Sequence, residues 1–269
     1  MMRFVSGLLL LCAAAQVQAA ALPRSDHIVI VIEENKSYSQ IIGNPDAPYI
    51  NALAQRGALF TNSHGITHPS QPNYLALFSG STRGIGSNTC PLDLSGDNLA
   101  SALQEKELSF ISYSESMPTT GYPGCRYGAY MRKHNPVANW KELASANQPL
   151  TAWPRDYTKL PTVSFVVPDQ RHDMHDGSIA QGDAWLKQNI EGYAQWAMDN
   201  NSLLIVTFDE DDGSEGNRIV TLFVGPMVKP GKYAQRIDHY SVLRTILHMH
   251  GLPGLNESAR AETIGGVWR

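Results

Sequence analysis

Hydroxyl, carboxylate, amide and imidazole side chains gather at four places in the 269-residue chain: Glu33 to Lys36, His68 to Asn73, Asp169 to Asp176 and Asp209 to Asp212. In the second, His68-Pro69-Ser70-Gln71-Pro72-Asn73-Tyr74 runs straight into the apolar stretch Leu75 to Phe78. Ser70 therefore reads as the N-cap of a helix that carries Pro72 in its first turn and ends near Gly80. The same position suits chemistry, because the amino end of a helix offers free N–H groups and partial positive charge to a bound phosphate, and a serine there is a placed nucleophile. A hydroxyl attacks well only when a base or a metal ion helps it lose its proton. Glu34, Asn35, Asp209 and Glu210 supply hard oxygen donors for a divalent cation: Mg, Ca or Mn on oxygen alone, Zn or Fe if histidines join. Each feature also has a plain structural counterpart, a helix cap for Ser70 and a solvated acidic turn for Asp209 to Asp212.

The third cluster, Asp169-Gln170-Arg171-His172-Asp173-Met174-His175-Asp176, alternates imidazoles with carboxylates after an apolar run. Such side chains bind a second metal, hold phosphate oxygens or protonate a leaving alcohol. An EF-hand does not fit, since Gly213 is misplaced relative to Asp209. The Gly-x-Ser-x-Gly elbow, the P-loop, the Gly-x-Gly-x-x-Gly fingerprint and the His-Glu-x-x-His helix are all missing, which removes the commonest hydrolase and nucleotide-binding classes.

To bring these clusters together the chain needs a sheet whose strands end beside one another. His27 to Ile32, Ala58 to Phe60, Leu108 to Tyr113, Thr162 to Val167, Leu203 to Phe208 and Ile219 to Val224 read as buried strands. Between them Pro48 to Arg56, Asn98 to Glu107 (behind a possible Asp97 cap) and Ile179 to Met198 have helical periodicity, and Tyr240 to His250 closes the series behind Asp238 or His239. The alternation predicts a three-layer α/β/α fold on a largely parallel sheet, with ligands bound outside the carboxyl ends of the strands. The stretch Ser114 to Lys159, rich in Pro, Gly, Tyr and Trp, reads as a long excursion over the site, its aromatics suited either to a substrate cleft or to packing.

Residues 1–21 carry Arg3, an apolar run and small residues at a cleavage site, the pattern of a secretory signal peptide too short to serve as a permanent membrane anchor. Residues 22–269 are expected to form one domain, periplasmic or secreted. Cys90 and Cys125 are the mature cysteines, free to form a disulfide in an oxidising compartment or to remain as two buried thiols. A formal net charge of −4 without a basic run argues against nucleic acid as a partner.

Five motifs in order now suggest a family: Glu34-Asn35, His68 to Tyr74, Asp173-Met174-His175-Asp176-Gly177, Thr207-Phe208-Asp209-Glu210 and Asp238-His239-Tyr240-Ser241. Over most of the mature chain the sequence resembles the bacterial and fungal phosphoesterases of the alkaline phosphatase superfamily, which include acid phosphatases and phosphatidylcholine-hydrolysing phospholipases C. The resemblance implies that Glu34, Asn35, Asp209 and Glu210 hold a metal that also contacts Ser70, the residue that becomes phosphorylated. It implies that His172 or His175 assists the leaving oxygen. Asn73, Asp173, Asp176 and His239 are carried over as phosphate-binding or second-metal candidates. The expected activity is hydrolysis of small phosphate monoesters. The chain lacks room for the large carboxyl-terminal module of the phospholipase branch, which favours a small phosphatase; a phospholipase C or other phosphodiesterase, from the same chemistry, is the nearest rival. A non-catalytic phosphate-binding protein is a further alternative, and a sulfatase would need a modifiable Cys or Ser motif that is not found.

Overall fold

The computed structural model describes residues 22–269, so the signal-peptide reading of residues 1–21 lies outside the described residues. In chain order the first half contains β1 (Ile28–Glu33), α1 (Tyr38–Ile41), α2 (Pro48–Arg56), β2 (Ala58–His64), α3 (Ser70–Ser79), α4 (Leu99–Gln104) and β3 (Phe110–Ser114). The second contains β4 (Arg126–Tyr127), β5 (Tyr130–Met131), β6 (Asn147–Pro149), β7 (Val163–Val167), α5 (Ile179–Asp199), β8 (Leu203–Phe208), β9 (Arg218–Val224), β10 (Gly231–Tyr233), β11 (Ile237–Asp238) and α6 (His239–Met249).

The main sheet has nine strands in the order β10-β2-β9-β8-β1-β7-β3-β6, with β11 also pairing β2. Its pairings make β9 the one strand that runs against the others: β9 is antiparallel to both β8 and β2, and the remaining pairs are parallel. β1 lies at the centre, paired along its length with β7 and β8. Its β-branched residues suit a strand covered on both faces, and successive side chains alternate between those faces. Ile28, Ile30 and Ile32 join the core under α3, α4 and α6, which includes Leu75, Phe78, Leu103, Leu243 and Ile246. Val29 and Val31 join the core under α2 and α5, which includes Ile50, Leu53, Trp185, Leu186 and Tyr193. That is the expected three-layer sandwich.

The strand signals locate the elements to within a few residues, with one difference that bears on the site. Ser70 is not a cap: α3 begins with Ser70 itself behind Pro69, and no side chain caps the helix. The freed hydroxyl points elsewhere. The helix does end as expected, at Gly80 in the left-handed conformation (φ 70°). For α6 the cap is Asp238, whose side chain accepts from the Ser241 N–H. Among the described residues no helix is long and apolar enough to cross a membrane.

Candidate active site

The carboxyl ends of β1 and β8 deliver Glu34 and Asp209 beside each other, and backbone bonds fix the pair: Asp209 N–H donates to Glu33 O at 3.0 Å, and Asn35 N–H to Asp209 Oδ1 at 3.2 Å. Asn35 sits at φ 49°, a left-handed conformation that asparagine tolerates better than most residues. At the start of α3, Ser70 Oγ lies 3.0 Å from Glu34 Oε2 and 3.1 Å from Glu210 Oε1. A hydroxyl carries one proton and cannot satisfy two carboxylates at once. Glu34, Asp209 and Glu210 each place an oxygen within 4.8 Å of the others, and Asp209 Oδ2 is buried without a partner.

Unbalanced charge is the site's main electrostatic property. Burial, then the charges of Glu34 and Glu210, push the Asp209 carboxyl well above the usual range. Glu210 is raised by burial and by Glu34, with His68 acting in the other direction. His68 Nδ1 is 2.6 Å from Glu210 Oε2 and its Nε2 3.2 Å from Asp211 Oδ1. Glu34 is different: burial is the largest influence and raises it, but the charge and hydrogen bond of His134, together with Lys133 and Tyr74, outweigh burial and hold it at about 2. His134 is itself buried, its Nε2 3.0 Å from Glu34 Oε1 and its Nδ1 3.0 Å from Asp173 Oδ2. Burial pulls its pKa down, and Glu34 and Asp173 together lift it to about 9. One imidazolium thus compensates part of a group of buried carboxylates. A divalent cation against Asp209 Oδ2, Glu34 and Glu210 would compensate the rest, so the residues present fit such an ion.

The other expected residues divide between this centre and its surroundings. His175 belongs to it, since Glu34, His134 and His175 all place a ligand atom within 4.8 Å of one another. Its Nδ1 is 2.7 Å from Asp176 Oδ1 and its Nε2 3.2 Å from Lys133 Nζ, so the imidazole donates to the carboxylate and accepts from the ammonium. Asp173 anchors the centre twice more: its carbonyl accepts from Glu34 N–H at 2.7 Å and its Oδ1 from His175 N–H at 2.8 Å. His172 goes elsewhere. It pairs with Glu115 at 2.9 Å, approaches Asp169 Oδ1 at 3.4 Å and stacks on Trp185, forming a separate group.

Hydrogen-bond accounting shows how two further candidates are engaged. Asn73 is not free to hold phosphate: its Oδ1 accepts from Ile66 and Thr67 N–H, and its Nδ2 donates to Thr67 O and Pro69 O. Both halves of the amide are used to shape the loop that presents His68 and Ser70. His239 Nε2 donates to Asp209 O at 2.6 Å, so it is a buried brace behind a candidate metal ligand. The amino end of α3 also offers less than expected, because Asn88 Oδ1 accepts the Gln71 N–H and Pro72 has none.

His134, Lys133, His68 and Glu115 are the residues that the sequence reading missed. His68 was within a quoted motif, but nothing in Arg132-Lys133-His134-Asn135 marks a residue that must reach a strand end 100 positions away in sequence. The excursion between β3 and β7 does the reaching. Its β4–β5 hairpin leads directly into His134, and the Cys90–Cys125 disulfide ties the hairpin to the loop after α3. Arg132, buried between them, donates to Pro123 O and to Leu92 O.

The sequence model of the phosphoesterase family matches residues 44–253. The chain belongs to that family. As a phosphoesterase it is a hydrolase acting on phosphoric ester bonds, in agreement with the motif-based resemblance. It is 48% identical over 254 residues to a phosphatidylinositol-3-phosphatase of Mycobacterium tuberculosis, covering 93% of this chain and 85% of that protein. It is 31% identical over 227 residues to an acid phosphatase of Aspergillus fumigatus, covering 76% of this chain but only 50% of the fungal protein. Among solved structures it superposes on an alkaline phosphatase superfamily protein from Vibrio parahaemolyticus with a TM-score of 0.63 at 13% identity, covering 91% of this chain and 70% of that one. At that identity the likeness shows the fold alone. The phosphoesterase thus has the alkaline phosphatase-like α/β sandwich expected from its strand and helix rhythm.

Proposed function

We propose that this phosphoesterase is an exported, divalent-metal-dependent phosphomonoesterase of acid phosphatase type that works through a phosphorylated Ser70. The observation that carries the reading is the placement of Ser70 Oγ at a helix start between Glu34 and Glu210, beside the unpartnered Asp209 Oδ2. Glu34, Asn35, Asp209 and Glu210, with Ser70, would hold the cation. When bound it supplies Lewis-acid stabilisation of the serine alkoxide and of the phosphoryl oxygens. Ser70 Oγ gives its proton to the Glu34 or Glu210 carboxylate it faces, recovering it when the phosphoserine is cleaved, and forms its bond to phosphorus as the bond to the leaving oxygen breaks; that oxygen takes a proton from the Lys133–His175 pair. His172, held by Glu115, is not needed for this step. A water, giving its proton back to the same pair, cleaves the phosphoserine and releases inorganic phosphate.

Export rests on the signal-like residues 1–21 and is supported by the Cys90–Cys125 disulfide, a bond that persists in oxidising compartments. The 48% identical relative is named for a phosphorylated inositol lipid, which makes such lipids the first natural substrates to try.

The test is turnover of a chromogenic phosphate monoester by the purified mature chain, with and without chelator, beside Ser70→Ala. Activity should vanish with chelator and return with a divalent metal, and Ser70→Ala should lose at least about a thousandfold. Full activity in Ser70→Ala would reject the serine mechanism. Cleavage of diesters but not monoesters would favour the phosphodiesterase alternative, and binding without turnover of either would make this a phosphate-binding protein.

A further inference from the structure

Beside the catalytic centre lies a cavity of about 580 Å³, within the usual size range of small-molecule sites. One wall is the β4–β5 hairpin, with Arg126 and Tyr127, and the other is the loop after β7, with Gln170, Arg171 and Asp176. The two walls are joined by Gln170 N–H donating to Ala129 O at 3.1 Å. The cavity adjoins the catalytic histidine, because Asp176 Oδ1 is 2.7 Å and Gln170 Nε2 3.4 Å from His175 Nδ1.

The charge of this cavity is opposite to that of the centre it adjoins. Its one carboxylate, Asp176, is engaged by His175. Arg126 donates through Nε to Gly128 O at 3.0 Å, which holds the guanidinium side-on and leaves its two terminal amino groups for a ligand. Arg171 gives one terminal amino group to Asp169 at 2.9 Å and keeps the other. Of the two guanidiniums only Arg171 has an ion pair, with Asp169, so in a chain of formal net charge −4 both still face one cavity with spare donors. A planar guanidinium matches the paired oxygens of a phosphate. At the mouth stands Tyr127, 54% exposed, one of the two large hydrophobic side chains left open among the described residues. A ring with an apolar face and hydroxyls on its edge can lie on such a phenol.

We infer that this cavity is a subsite for a second phosphate group, so that the preferred substrate is a polyhydroxylated ring bearing two phosphates, one cleaved at Ser70 and the other held by Arg126 and Arg171. The inference rests on the phosphomonoesterase reading for the first phosphate. The ring can be a free sugar or cyclitol bisphosphate, or a lipid headgroup whose second phosphate is the diester to the glycerol.

The test compares kcat/KM for glucose 1,6-bisphosphate and glucose 6-phosphate in the metal-loaded wild type, Arg126→Gln, Arg171→Gln and the double variant. The wild type should prefer the bisphosphate by at least about tenfold, each single variant should cut that ratio several-fold, and the double variant should bring it near one. No preference in the wild type, or a ratio that persists in the double variant, would overturn the subsite. Failure of the monoesterase reading looks different, as no turnover of either sugar phosphate. In that event calorimetric binding of the same two compounds to wild type and double variant carries the test: the tenfold difference in affinity should appear and disappear in the same way, and equal affinities would sink the inference. A parallel arm presents phosphatidylinositol 3-phosphate in phosphatidylcholine vesicles against inositol 1,3-bisphosphate in solution. An arginine-dependent preference for the vesicles assigns the headgroup as the source, and an equal one for both assigns the phosphorylated ring itself.

Discussion

Glu34 serves two neighbours with its two oxygens, Ser70 on one side and His134 on the other, and this makes the ionisation of His134 part of the folded state. His134 is held at about 9, above the roughly 6.5 of a free imidazole, so its proton binds more tightly in the folded chain. Its contribution to stability is therefore complete below about pH 6.5 and is lost as pH rises through about 9. Glu34, held at about 2, contributes above the ordinary carboxylate range and loses that contribution only as pH falls towards 2. In chelated protein the urea midpoint of the wild type should accordingly fall between pH 6.5 and 9.5, by an amount equivalent to a few kcal/mol, while His134→Gln should show little of that fall. Parallel curves for the two proteins would show that His134 is not charged in the fold. The side chains that the proposed mechanism uses were legible because each follows a strand or opens a helix: Glu34, Asp209, Glu210 and Ser70 all lie where a change of pattern marks a chain reversal. His134 was not, because its function is set by a salt bridge across the fold and its local sequence is that of an ordinary basic turn. His172 erred in the other direction, since its neighbourhood looked as catalytic as that of His175 until Glu115, from a different strand end, claimed it.

At the scale of elements, the Ile66 to Pro69 loop decides whether α3 presents Ser70 at the right place. Asn73 reaches back from the first turn of α3 and satisfies four backbone groups of that loop. Asn73→Ala should cost about 2 to 3 kcal/mol in denaturant unfolding, because backbone groups lose their partners, and should lower kcat more than it raises KM. A stable variant with wild-type kcat would mean that the loop holds itself. Gly65 at the base of this loop has a similar constraint, since a Cβ there would meet Asp209 O at 2.7 Å and the Asn217 side chain at a similar distance. The strands and long helices were readable from periodicity, as α2 and β8 show with the very bounds expected. The direction of β9 was not, because an antiparallel strand between two paired neighbours has the same apolar run as a parallel one. Nor was the capping role of Ser70 decidable, since serine at N-cap and serine at the first helical position have the same neighbours in sequence and differ only in where the hydroxyl points.

Across the whole molecule, the active site joins two parts with different origins of rigidity. The strand ends that supply Glu34 and Asp209 belong to the centre of a nine-stranded sheet covered on both faces. The excursion that supplies Lys133 and His134 has short strands and single turns, and it is held to the body by the Cys90–Cys125 bridge and the buried Arg132. A loop of this span closed by a disulfide gains roughly 3 to 4 kcal/mol in the chain-entropy picture. Reduction, or a Cys90→Ser/Cys125→Ser pair, should therefore leave the sheet's circular dichroism intact while lowering kcat by about tenfold or more and raising protease sensitivity between Pro91 and Pro123. Undiminished kcat in the reduced protein would show that Arg132 alone suffices.

The same bridge has a consequence for the cell that makes the enzyme. A phosphatase with the proposed monoesterase activity would be a hazard among the producer's own metabolites. Because His134 is brought to Glu34 by a segment secured through an oxidised cysteine pair, a newly made chain in a reducing cytosol would have its catalytic arm loosely attached, and catalytic competence would come with passage into an oxidising space. The disulfide would then serve as a safety catch as well as a staple, released by the export proposed above.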